Sequence, residues 1–78
     1  MSVKAFIKAH AILAELREMG QPLASFRLYV DGSGTLTLDK TPSVDVQDFA
    51  ECYLRSKRWG WDSDGYATLT TYGGLLDD

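Results

Sequence analysis

The chain has 78 residues, enough for a single domain spanning 1–78 that buries only about 60% of the surface its unfolded form exposes. Its hydrophobic share of 45% and charged share of 24% are those of an ordinary folded domain and exclude a disordered tail or a membrane-embedded chain. A formal charge of −3 argues against the phosphate-driven binding that rests on a basic surface, and the single cysteine, Cys52, excludes an internal disulfide.

Residues 3–19 show the helical period. Lys4, Lys8, Ala11, Glu15 and Glu18 share one narrow face, and Val3, Phe6, Ile7, Ala9, Leu13, Ala14 and Leu16 cover a wide opposite arc. An arc that broad predicts burial against more than one neighbour, with His10 toward its edge as a partly buried structural histidine. Gly20 and Pro22 stop the helix, because glycine tolerates a left-handed cap and proline cannot continue the ladder. The apolar run from Ala11 to Ala14 is far short of the roughly 20 residues that cross a bilayer. No apolar leader with a cleavage site opens the chain, and both readings point to a cytoplasmic protein.

From Leu23 to Val30 the residues alternate, with Ala24, Phe26, Leu28 and Val30 on one side and Ser25, Arg27 and Tyr29 on the other. Asp31-Gly32-Ser33-Gly34 is turn chemistry, and Thr35-Leu36-Thr37-Leu38 resumes the alternation, which predicts an antiparallel hairpin with Leu36 and Leu38 facing the core. Residues 39–43 connect it to a second helix along 45–61. There Val46, Phe49, Ala50, Tyr53 and Leu54 fall on one face, opposite Gln47, Asp48, Glu51, Arg55 and Arg58. Asp45 is the expected N-cap, Val44 and Phe49 the hydrophobic staple, and Gly60 the stop. That segment starts acidic and ends basic, as the helix dipole favours.

Asp62-Ser63-Asp64-Gly65 makes a turn, Tyr66 to Tyr72 a third strand, and Gly73-Gly74 its end. No internal repeat or linker is read. The expected fold is α+β in the order α-β-β-α-β, with two helices packed on one face of a three-stranded antiparallel sheet. The other face, carrying Ser25, Arg27, Tyr29, Thr35 and Thr37, is left to water or to a partner.

Nucleophilic catalysis needs an activated side chain with a base in reach. The only Cys and His, Cys52 and His10, stand on different predicted helices, and Glu51 beside Cys52 disfavours a thiolate. Structural zinc needs four Cys or His ligands, more than the chain has. The 62–65 stretch starts like a calcium loop, but Gly73 stands where the closing glutamate belongs. No helix follows the 31–34 loop to cradle a phosphate. These readings predict no enzyme, no cofactor and no metal.

More informative is the cluster Arg55, Lys57, Arg58, Trp59 and Trp61, where guanidinium groups stand beside indoles. Such a set stacks on bases, anchors a protein interface, or simply closes the core of a small domain. Asp48, Glu51, Asp62 and Asp64 around it repel a phosphate backbone, so protein contact is favoured over direct nucleic-acid binding. The acidic set Asp39, Asp45, Asp48 and Glu51 reads as a solvated helix start, or as a weak imitation of phosphates.

A stand-alone acidic domain with no catalytic set, ordered as Phe6 to Met19, the Leu23 to Leu38 hairpin, Val46 to Trp59 and Tyr66 to Tyr72, resembles the small inhibitors carried by phages and mobile elements, among them the anti-CRISPR proteins. The resemblance implies a non-enzymatic protein that binds a bacterial protein or nucleoprotein complex in the host cytoplasm. A CRISPR surveillance complex, with target-DNA binding or nuclease recruitment blocked, is the implied partner. Arg27 and Tyr29 on the sheet, and Arg55, Arg58 and Trp61 near the second helix end, are the expected partner-binding residues. The alternative is a small nucleic-acid-binding module built on 55–61. The chain acts alone or as a small oligomer such as a homodimer.

Overall fold

A computed structural model describes residues 3–22 and 24–72. The chain runs through α1 (Val3–Glu18), β1 (Ser25–Leu28), β2 (Ser33–Asp39), α2 (Val44–Leu54), β3 (Arg58–Trp61) and β4 (Tyr66–Tyr72). All strand pairs are antiparallel, and the sheet order is β1-β2-β4-β3. The class is α+β as expected, but the order is α-β-β-α-β-β with four strands in place of three. The additional strand, β3, is made of residues that sequence periodicity assigned to the end of the second helix. Leu23, Gly73, Gly74 and residues 75–78 lie outside the described residues.

Helix α2 is bounded by chemistry that differs from expectation at both ends. Its N-cap is Ser43, not Asp45: the Ser43 Oγ accepts from the Val46 N–H at 3.3 Å, satisfying a donor the helix leaves open. Asp45 falls in the first turn, where its charge still meets the positive end of the dipole. With the cap moved back two residues, Val44 is the first helical residue, exposed to solvent, and the expected staple with Phe49 is displaced. The helix ends at Arg55, which adopts the left-handed conformation (φ 54°, ψ 46°) and donates its N–H to Glu51 O. Gly60 is therefore not the stop, and no basic residue lies in the last helical turn. The Thr71 Oγ1 donates to Leu54 O at 3.0 Å, giving a terminal carbonyl a partner from β4.

Ala5, Ile12 and Leu16 of α1 and Val46, Ala50 and Leu54 of α2 form one apolar cluster with Leu36 and Leu38 of β2 and Leu69 of β4. Tyr53 of α2 donates its hydroxyl to Lys8 O of α1 at 3.0 Å, tying the helices together. The broad arc read on α1 is not buried as a whole. The inward stripe is Ala5, Ala9, Ile12 and Leu16, while Val3, Phe6 and Ile7 remain 75%, 52% and 61% exposed. A helix this rich in apolar residues has several overlapping arcs, and small alanines select the one that lets the backbone lie closest to the sheet. Among the described residues, no helix is long and apolar enough to cross a membrane.

The sheet is built from one hairpin used twice. Advancing every number of the β1–β2 register by 33 reproduces the β3–β4 register, so Ser25↔Thr37 becomes Arg58↔Thr70 and Leu28↔Gly34 becomes Trp61↔Ala67. The turns repeat at the same spacing. Tyr29 N–H donates to Ser33 O and Gly32 N–H to Tyr29 O, with Gly32 at φ 91°; Asp62 N–H donates to Tyr66 O and Gly65 N–H to Asp62 O, with Gly65 at φ 95°. Each loop is closed by a glycine in a conformation that side chains disfavour. The sequence shares Asp-Gly-x-small-Thr-Leu-Thr between 31–37 and 64–70, so an internal repeat does exist, contrary to the linear reading. The central pair Leu36↔Leu69 lies on the pseudo-two-fold relating the hairpins. Because each turn begins at Tyr29 or Asp62, Ser33 and Gly34 already belong to β2. Val30, expected to face inward, sits in the turn and is 91% exposed.

Candidate functional site

Alternation places Leu36, Leu38, Ala67 and Leu69 in the core, and with them commits Thr35, Thr37, Thr68 and Thr70 to the opposite face. The β2–β4 register sets Thr35 against Thr70 and Thr37 against Thr68, so the repeat creates a quartet of half-buried threonines at the centre of that face. Ser25 and Arg27 flank the quartet on β1, and Arg58 and Gly60 flank it on β3. At roughly 4.8 Å between strands the two edges stand about 14 Å apart. The result is a hydroxyl-rich floor with a guanidinium on each rim.

Each rim pairs its arginine with a tyrosine. Arg27 and Tyr29, both exposed, line a shallow groove with Ser25, Thr35 and Thr37. On the other side Arg58 lies 5.1 Å from the Tyr72 ring centroid, in cation–π range, and shares a groove with Arg55, Ser56, Lys57 and Tyr72. That second groove carries three cations and no carboxylate among its lining residues. Ser56 shapes it: its Oγ donates to Thr70 O at 2.5 Å and accepts from the Arg58 N–H at 3.3 Å, joining the helix exit to the sheet.

The five expected contact residues therefore separate. Arg27 with Tyr29, and Arg55 with Arg58, are brought to the two rims of the open face. Trp61 is not: its register partner is Ala67, so it shares the helix-covered side with Trp59, where the two indoles stack at 5.4 Å and 16°. Trp59 is fixed by its Nε1–H donating to Glu51 Oε2 at 2.8 Å, and it packs on the core. Trp61, 56% exposed, projects past that cover at the sheet edge. Tyr72, Ser56, Thr68 and Thr70 were missed as site residues. The alternation Tyr66-Thr68-Thr70-Tyr72 was the signal that could have found them.

The chemically reactive side chains are elsewhere. Cys52 is exposed and lines a groove with Asp48, Glu51, Arg55, Ser56 and Lys57. His10, expected to be partly buried, is exposed, its ring edge-on to Phe6 at 4.5 Å. Among the described residues, no three His, Cys, Asp or Glu side chains are grouped to hold a metal ion. Among the described residues, two groups have displaced titrations. The Asp31 carboxyl is lowered because the Ser33 hydroxyl and N–H both donate to it, and burial raises the Tyr53 phenol. Both belong to the scaffold: Asp31 closes the first turn and Tyr53 joins the helices. No family model, curated protein or solved structure matches the chain.

Proposed function

We propose that this protein is a non-enzymatic binding domain that docks on a bacterial protein or nucleoprotein complex through the uncovered face of its sheet and inhibits it, in the manner of an anti-CRISPR protein on a surveillance complex. The observation that carries the reading is the arginine–tyrosine pair on each rim of the threonine floor. Arginine and tyrosine anchor protein interfaces, because they offer large contact area and directional hydrogen bonds on a single side chain. Hydroxyls between them give a polar surface that hydrates when free and donates or accepts when covered. The choice of a CRISPR complex rests on the resemblance in size, charge and domain type. Tagged protein should retain an effector complex from cells that carry one and suppress interference there, and Arg27→Glu with Arg58→Glu should abolish both. No retained complex and unimpaired interference would reject the reading.

The three-cation groove favours a second reading, a nucleic-acid module in which Arg55, Lys57 and Arg58 meet phosphates and Tyr72 stacks on a base. Titration with single-stranded DNA or RNA should then quench aromatic fluorescence, with affinity falling steeply as salt rises. A flat titration removes this reading.

A further inference from the structure

The strand registers put four open-face residues on one line across the sheet. Arg27 pairs with Thr35, Thr35 with Thr70 and Thr70 with Arg58, so an exposed arginine closes each end of a row whose middle is two hydroxyls. The row beside it, Ser25-Thr37-Thr68-Gly60, carries no charge. The next sets Asp39 against Tyr66, with Asp62 joined to Tyr66 O through its N–H. Charge therefore runs from positive to negative along the strands of a single face. The grooves that hold Arg27 and Arg58 have no carboxylate among their lining residues. Arg55 and Lys57 differ, because they also border Asp48 and Glu51. Asp31, in the turn beyond Tyr29, is held by the Ser33 hydroxyl and N–H. Stacking over Tyr72 uses the flat of the Arg58 guanidinium and leaves its N–H donors to a ligand.

Given the docking role proposed for the open face, on which this step rests, we infer that the row Arg27-Thr35-Thr70-Arg58 takes an acidic segment of the partner protein, lying across the strands with a carboxylate on each guanidinium. Three strand spacings of about 4.8 Å separate the two arginine backbones by about 14 Å. Carboxylates at matching reach stand four residues apart in an extended segment, about 13–14 Å, or two turns apart on a helix, about 10–11 Å. Arginine binds a carboxylate through two parallel N–H donors, and the threonine hydroxyls between them donate to carbonyls of the crossing segment. Asp39 and Asp62 repel that segment from the other end of the face and so hold it on the arginine row. A nucleic-acid strand fits less well. Sheets that bind single strands stack bases on aromatic rings in their middle, whereas here the middle is threonine and Tyr29, Tyr66 and Tyr72 stand at or beyond the strand ends.

The isotope-labelled full chain is titrated at low ionic strength with a short oligoglutamate and, separately, with an oligothymidylate of equal charge, following the backbone amide signals. Oligoglutamate should move the signals of Arg27, Thr35, Thr70 and Arg58 and leave those of Asp39 and Tyr66 in place. Arg27→Gln and Arg58→Gln should each weaken its binding by about threefold or more, and the oligothymidylate should bind more weakly than the peptide. A row that does not respond to oligoglutamate overturns the inference, as does tighter binding of the oligothymidylate or indifference to Arg27→Gln. Competition distinguishes this failure from failure of the docking role. A complex retained through Arg27 and Arg58 but not displaced by excess oligoglutamate overturns the acidic site alone, and displacement supports it. Oligoglutamate that fills the row of a protein retaining no complex supports the acidic site and counts only against the docking role.

Discussion

Arg55 occupies a left-handed backbone conformation that costs an L-residue roughly 1–2 kcal/mol, yet helix α2 ends there and not at a glycine. Arg55→Gly removes that cost and adds back about 0.4–1 kcal/mol of unfolded-chain entropy. Arg55→Ala removes the guanidinium but keeps the conformational cost. In urea denaturation the glycine variant should be the more stable of the two by about 1 kcal/mol, and both should weaken partner binding if the groove guanidinium matters. Gly34 shows the reverse constraint. A Cβ there would collide with the Phe26 ring and stand 3.2 Å from Arg27 O, whereas Ala67, at the equivalent place in the second hairpin, already carries one. Gly34→Ala should cost about 1–3 kcal/mol, and adding Phe26→Leu should recover part of it, measured as a double-mutant cycle.

At the scale of elements, α1, the first hairpin and Tyr66–Tyr72 were legible because each keeps one period for at least a full turn or several alternations. The second helix was legible only through Leu54. Beyond it the face runs into Lys57 and reaches Trp61 only past the expected stop at Gly60, and the basic run Arg55, Lys57, Arg58 suits a helix end as well as a strand edge. What decides for strand is tertiary: Trp59 pairs with Leu69, and Ser56 joins Thr70 O. Arg-Trp-Gly-Trp alternates, but four residues are too few for a period to outweigh the pattern before them. The Asp-Gly-x-small-Thr-Leu-Thr repeat was present to be read and would have supplied the missing strand by analogy with β1. The contact between the helices makes its own prediction. Burial holds the Tyr53 phenol above its ordinary value of 10.0, so the folded state binds this proton more tightly than the unfolded one. Its stabilising contribution is full below about pH 10 and is lost as pH rises through the folded value. Tyr53→Phe should lose about 0.5–1.5 kcal/mol at pH 7, from the hydrogen bond to Lys8 O, and show a shallower loss of stability above pH 10 than wild type.

For the molecule as a whole, the open face was legible from alternation alone, since Leu36 and Leu38 inward force Thr35 and Thr37 outward. Its far half was not, because Arg58 and Trp61 could be sorted to opposite sides only once β3 was known to be a strand. That sorting gives the two rims distinct roles in any binding event. A partner spanning the floor touches Arg27 and Tyr29 on one side and Arg58 and Tyr72 on the other, so Arg27→Ala and Arg58→Ala should each weaken the same complex, by about 1–2 kcal/mol, with nearly additive effects across a sheet this wide. An anionic ligand confined to the three-cation groove depends on Arg55, Lys57 and Arg58 and is indifferent to Arg27. Trp61→Ala, on the helix side, should leave both modes unchanged. Calorimetric titration of the three single variants against one partner separates the cases: loss at both rims identifies the whole face as the contact, and loss at Arg58 alone confines it to the groove beside Tyr72.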